Sequence, residues 1–92
     1  MRTTKRTTKS TNQFKRDIRQ RQDCADEVYA VVQLLELDEH LPRQRCDHPL
    51  KGRWKGHREC HVRPDLLLIY CKPDADTLEL VRLGSHSELF RR

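Results

Sequence analysis

Long apolar runs are missing from this sequence, and so are most of the signatures that announce a familiar site. The longest hydrophobic stretch, Leu66 to Cys71, falls far short of the ~20 residues needed to cross a bilayer. The basic start is not followed by an apolar h-region, so no secretory signal is expected and a cytoplasmic location is. No Cys-x-x-Cys occurs. Cys24, Cys46, Cys60 and Cys71 are scattered, and neither Cys46-x-His48 nor Cys60-His61 has zinc-ligand spacing. Without a secretory context the even cysteine count does not imply disulfides, and free thiols are expected. There is no glycine-rich phosphate loop, no serine nucleophile elbow and no carboxylate cluster suited to Mg²⁺. Acid–base chemistry in this chain is therefore expected to need no metal and no cofactor.

Charge is what the sequence has in quantity. Charged residues make up 36% and hydrophobic ones 35%, which leaves a thin core. The 92 residues suit one domain spanning 1–92. The net charge of +5 comes in blocks: residues 1–22 carry +7, residues 23–41 carry −6, and the remainder is basic again. Within residues 43–63, Arg43, Arg45, Lys51, Arg53, Lys55, Arg58 and Arg63 stand against only Asp47 and Glu59. A polyanion is the expected partner of such a surface, unless it is merely a solvated one.

The local patterns predict an α+β domain. Thr3 to Thr8 suits either an edge strand or a tail. Ser10 and Gln13 form a capping-box pattern that should open a helix carrying Phe14 and Ile18 on one face. Asp23 should cap a second helix, with Val28, Val31, Val32 and Leu35 at helical spacing and Pro42 as its stop. A strand is expected from about Trp54 to Val62, then a turn at Val62-Arg63-Pro64. Leu66 to Cys71 should be a central strand buried on both faces. Thr77 to Leu83 should be the next strand, and Ser85 with Glu88 a second capping box opening a short helix through Phe90. Two N-terminal helices would then pack on an antiparallel sheet of about four strands.

Histidine is the informative residue type for chemistry. His61 and Asp65 flank a turn, which suits either a surface ion pair or an imidazole oriented for proton transfer. His86 should begin the last helix, where it either faces solvent or meets a phosphate at the helix N-terminus. His48 lies in a loop beside the basic stretch. Arg82 could neutralise a phosphate, and Trp54 either stacks on a base or belongs to the core.

These residues also carry a resemblance. The blocks Asp47-His48-Pro49-Leu50-Lys51-Gly52, Trp54 through Asp65, Leu68-Ile69-Tyr70 and Arg82 through Phe90 occur in order with fitting spacings. Over residues 47–90 the chain resembles the YafQ branch of the RelE toxin superfamily. The resemblance implies a microbial-RNase-like fold and a bacterial type II toxin. Such a toxin is a ribosome-dependent endoribonuclease that cuts translated mRNA and is silenced by a cognate antitoxin. By motif position His48, His61, Asp65, His86 and Phe90 match the family's functional residues, whereas Leu66 stands where the pattern has Trp. With Arg82 stabilising charge, the expected reaction is attack of a ribose 2′-OH on its own 3′-phosphate. Lys51, Arg53, Lys55, Arg58, Arg63 and Trp54 are the expected RNA and ribosome contacts. Arg91-Arg92 would either strengthen phosphate contacts or do nothing. The alternative is a basic RNA- or DNA-binding module without catalysis.

Overall fold

Every residue from Leu66 to Tyr70 is buried, so this strand must be covered on both faces. In the computed structural model, which describes residues 4–90, it is the middle strand of a five-stranded sheet. The chain runs β1 (Thr7–Ser10), α1 (Asn12–Arg19), a 3₁₀ turn (Gln22–Cys24) and α2 (Ala25–Glu36). A second 3₁₀ turn (Arg43–Arg45), β2 (His48–Pro49) and a third 3₁₀ turn (Gly52–Trp54) follow. Then come β3 (Arg58–Arg63), β4 (Leu66–Cys71), β5 (Thr77–Gly84) and α3 (His86–Phe90). The spatial order is β1-β5-β4-β3-β2.

The α+β class is as expected, but the sheet differs in two ways. His48–Pro49 adds a fifth, two-residue strand to the edge of β3. The sheet is also mixed, because β1 runs parallel to β5. A parallel neighbour needs a long crossover, and α1 and α2 begin the connection that provides it. Of the threonine-rich opening only Thr7 and Thr8 enter this edge strand, which runs on to Ser10, and Thr3 and Arg91-Arg92 lie outside the described residues.

Alternation along the strands makes two unequal layers. Cys60, Val62, Leu66, Leu68, Tyr70, Leu78, Leu80 and Leu83 pack against Phe14, Cys24, Val28, Val31, Val32 and Leu35 of the helical side. On the other face Leu67 and Ile69 meet Leu89, with Leu50, Trp54, Val81 and Phe90 half-buried around them. Each fully buried aliphatic side chain contributes about 1.5–3 kcal/mol, so the helical face supplies most of the stability. The opposite face is the more thinly covered one.

Several boundaries move for identifiable reasons. Ser10 is still paired with Leu80 in β1, so Thr11 caps α1 instead, accepting from Phe14 N at 3.0 Å and donating to Val81 O at 2.7 Å. Asp23 does not cap α2; its carboxylate is taken by Arg63 at 3.2 Å. That helix ends at Glu36 rather than at Pro42, because Asp38 turns left-handed with φ of 55°. β3 begins at Arg58 rather than near Trp54, since Gly52 and Gly56, both at positive φ, fold the preceding residues into a turn. The β3–β4 turn is Pro64-Asp65.

Asp38 ties three distant segments together. Its carboxylate accepts from Arg6 at 2.8 Å and from Lys72 at 2.6 Å. The Arg6 guanidinium holds this carboxyl well below the usual carboxylate range, with Lys72 adding to it against the opposing cost of burial. A depressed carboxylate contributes stability that is present above its unfolded pKa and lost as pH falls through the folded value. Asp38→Asn keeps a residue that tolerates the left-handed conformation. It should cost about 1 kcal/mol at neutral pH after allowance for partial exposure, or ~4–8 °C in Tm. Melting curves across pH check this: the gap to the parent should close as pH falls below about 4.

Candidate active site

Side chains of β3 alternate between the two faces, and this sorts the chemistry. Cys60 and Val62 face the helices, while Glu59 and His61 lie opposite Ile69 and Leu67 on the open face. Two residues along a strand are about 7 Å apart. β2 then sets His48 directly across from Glu59. His48 Nε2 stands 3.0 Å from Glu59 Oε1, and Nδ1 stands 3.0 Å from the carbonyl oxygen of Pro49. The residue before His48 is anchored from beneath. Tyr70 donates its hydroxyl to Asp47 Oδ1 at 2.6 Å, and Arg58 Nε meets the same oxygen at 3.2 Å. Burial, with the Asp47 contact second, pushes the Tyr70 hydroxyl far up, so it stays a donor.

α3 is brought to the same face by its cap. Glu88 N donates to Ser85 Oγ at 3.2 Å and Ser85 N to Glu88 Oε1 at 2.7 Å, which is the expected reciprocal box. Gly84 permits this closure, because a Cβ there would stand 3.0 Å from Glu88 Oε1. Arg21 pairs with the same carboxylate, and Leu89 is buried against Leu67 and Ile69. His86 is thereby exposed at the first position of the helix, its ring 5.0 Å from that of Phe90.

His48, Lys51, Trp54, His86 and Phe90 line one cleft of about 310 Å³, together with Leu50 and Glu59. His61 shares the face but lines a neighbouring hollow of about 450 Å³ beside Arg45, Gln44 and Pro64. Asp65 does not orient His61 as the turn suggested: among the described residues no hydrogen bond joins them. Its Oδ1 instead accepts from the backbone N–H of His86 at 3.4 Å. A register shift falls between His61 and Arg63, just before the turn that carries Asp65.

Three of the arginines expected to meet RNA are committed to acids. Arg82 Nε donates to Asp17 Oδ2 at 2.9 Å, and Leu83 N donates to the same oxygen at 2.9 Å. Here α1 covers the edge of β5 beyond the last residue of β1. Arg63 reaches Glu27 and Asp23, and Arg58 reaches Asp47. Arg53 lies over Trp54, 5.8 Å from its ring centre, while Lys51 and Lys55 are exposed. Leu66, an aliphatic residue where the family pattern has a ring, is in the core on the helical face and does not line the cleft. The four cysteines are unpaired, and burial pushes Cys60 up to about 12 and Cys71 to about 11, which makes both poor thiolates. Sequence reasoning missed Glu59 because a two-residue β2 has no periodic signal to reveal its partner.

Residues 6–91 match the family described as a bacterial toxin of type II toxin–antitoxin system, YafQ. A relative named mRNA interferase toxin YafQ from Escherichia coli B/BL21-DE3 is 38% identical, covering 85% of this chain and 88% of its own. Its namesake from strain K12 is 44% identical over 67% of this chain, and the match spans 66% of that relative's length. Among solved structures, the E. coli DinJ–YafQ toxin–antitoxin complex has a chain 34% identical, with a TM-score of 0.81 and coverage of 94% and 98%.

Proposed function

The chain belongs to the YafQ family of bacterial toxins of type II toxin–antitoxin systems, and on that premise we propose that it is an mRNA interferase. It is an endoribonuclease that cuts translated message on the ribosome and so arrests translation and growth. The observation that carries this reading is the cleft in which His48 and His86 stand beside Lys51, Trp54 and Phe90. Imidazoles move protons, a lysine holds a phosphate, and rings stack on a base.

The ribose 2′-OH gives its proton to one imidazole as its oxygen attacks the adjacent phosphorus. The bond to the 5′-oxygen breaks, and that oxygen takes a proton from a second imidazole. A 2′,3′-cyclic phosphate and a free 5′-OH result, with no redox change. His86 in the cleft is one proton-transfer residue and His61, on the same face in the neighbouring hollow, the other, while His48 beside His86 assists or holds the phosphate. Asp65 acts on His86 through its backbone, and Phe90 backs the ring. Lys51, Arg53, Lys55 and Trp54 hold the RNA, whereas Arg58, Arg63 and Arg82 contribute less because acids already occupy them.

The protein named in the DinJ–YafQ complex is bound by an antitoxin. For this chain we place an acidic antitoxin segment on α1, where Lys15, Arg16 and Arg19 are exposed. The reaction belongs in the cytoplasm with translating ribosomes. Among the described residues no helix is long and apolar enough to cross a membrane.

Primer extension on a translated reporter message tests the reading, with one lane lacking ribosomes. New 5′ ends should appear only when ribosomes translate. Intact message in every lane, with salt-sensitive RNA binding retained, would instead make the chain a non-catalytic binding module.

A further inference from the structure

We propose that Glu59 is a positioning residue of this cleft, acting through His48 Nε2 to set how that imidazole meets the RNA. The inference rests on the endoribonuclease reading and adds to it a residue that no pattern in the sequence marked. Glu59 is 6% exposed, the buried charged side chain among the described residues. A carboxylate beside Ile69 and Leu67 is costly unless something compensates it, and the His48 imidazole meets it at 3.0 Å.

The geometry gives that pairing a purpose. With the carboxylate as acceptor Nε2 is the donor, and the contact fixes the ring's orientation. On the other side Nδ1 faces the Pro49 carbonyl, which also only accepts. Both ring nitrogens are thus engaged by protein oxygens, and only a doubly protonated ring donates to both. His48 must release one of them to touch a phosphate or a 2′-OH. The Pro49 contact is local and travels with β2, whereas Glu59 stands on β3 and lines the cleft. Glu59 therefore decides which nitrogen is held and which one turns to the substrate.

Glu59→Gln keeps the size and removes the charge. In the full chain, single-turnover cleavage of ribosome-bound message should slow by about tenfold or more, because the imidazole loses the acid that holds its tautomer and orientation. The half-saturating ribosome concentration and the Tm should stay near the parent's. Nitrogen-15 imidazole spectra should show His48 signals displaced and those of His86 unchanged. Glu59→Asp, with its carboxylate withdrawn by one methylene, should move both readouts in the same direction and covers the case in which the amide does not fold. Unaltered His48 signals, or an unaltered cleavage rate beside displaced signals, would overturn the proposal. Should the parent protein cut nothing, the endoribonuclease reading fails by itself, and the imidazole spectra still decide whether Glu59 holds His48.

Discussion

Replacing His86 with Ala should reduce cleavage of translated message by ~10²–10⁴-fold, the usual contribution of one general acid or base. The melting transition should hardly move. The ring is exposed and meets the Phe90 ring at its edge of the cleft, so little packing is lost. Alanine keeps the backbone N–H that Asp65 accepts, and it is a better helix former than histidine. What holds α3 to the sheet is Leu89 beneath it, the Ser85–Glu88 box and the Arg21–Glu88 pair. None of these involves the imidazole. Primer extension and thermal melting of the same preparation check the claim together. A lower Tm accompanying lost cleavage would make His86 a structural residue. Unchanged cleavage would transfer proton transfer to the remaining histidines of the open face.

Reversing Lys15, Arg16 and Arg19 to Glu together should weaken antitoxin binding by about 10–100-fold. Each exposed ion pair is worth ~0.2–1 kcal/mol. Reversal replaces attraction by repulsion at three places, and every 1.4 kcal/mol is about tenfold in affinity. Arg16 donates to Gln13 at 3.2 Å and Arg19 to the Lys15 carbonyl at 3.3 Å, so neither is spent on an acid. Arg21 is left out of the variant although it lies in the same basic segment. It already holds Glu88, and reversing it would disturb α3 as well as any docking surface. Binding titrations at low and high salt provide the check, because the loss should shrink as screening rises. Equal affinity for parent and variant would remove α1 from the interface.

The two experiments separate properties that differ in how far the sequence announces them. The basic character of α1 and the capping box that presents His86 are visible in a few consecutive residues. The pairing of Arg82 with Asp17 is not, because it joins positions 65 residues apart. That pairing changes the meaning of Arg82, from a free phosphate-binding cation to a strut between α1 and β5. Arg63 changes in the same way through Glu27 and Asp23. A charge count along the chain treats all arginines as available, whereas tertiary neighbours decide which ones are.

Local chemistry by itself determined the elements whose evidence is short-range. Leu66 to Tyr70 had to be a doubly covered strand because no polar residue interrupts it. Val28, Val31, Val32 and Leu35 had to line one helical face, and Ser85 with Glu88 had to start α3. Only the tertiary structure decided that β1 lies parallel to β5, that His48 belongs to a strand, and that Glu59 stands across from it. It also moved Asp65 from His61 to the backbone of His86. The reason is physical: a hydrogen-bond ladder or a buried ion pair gains its energy from a partner supplied by a remote segment. Periodicity and capping report only on neighbours within a turn or two.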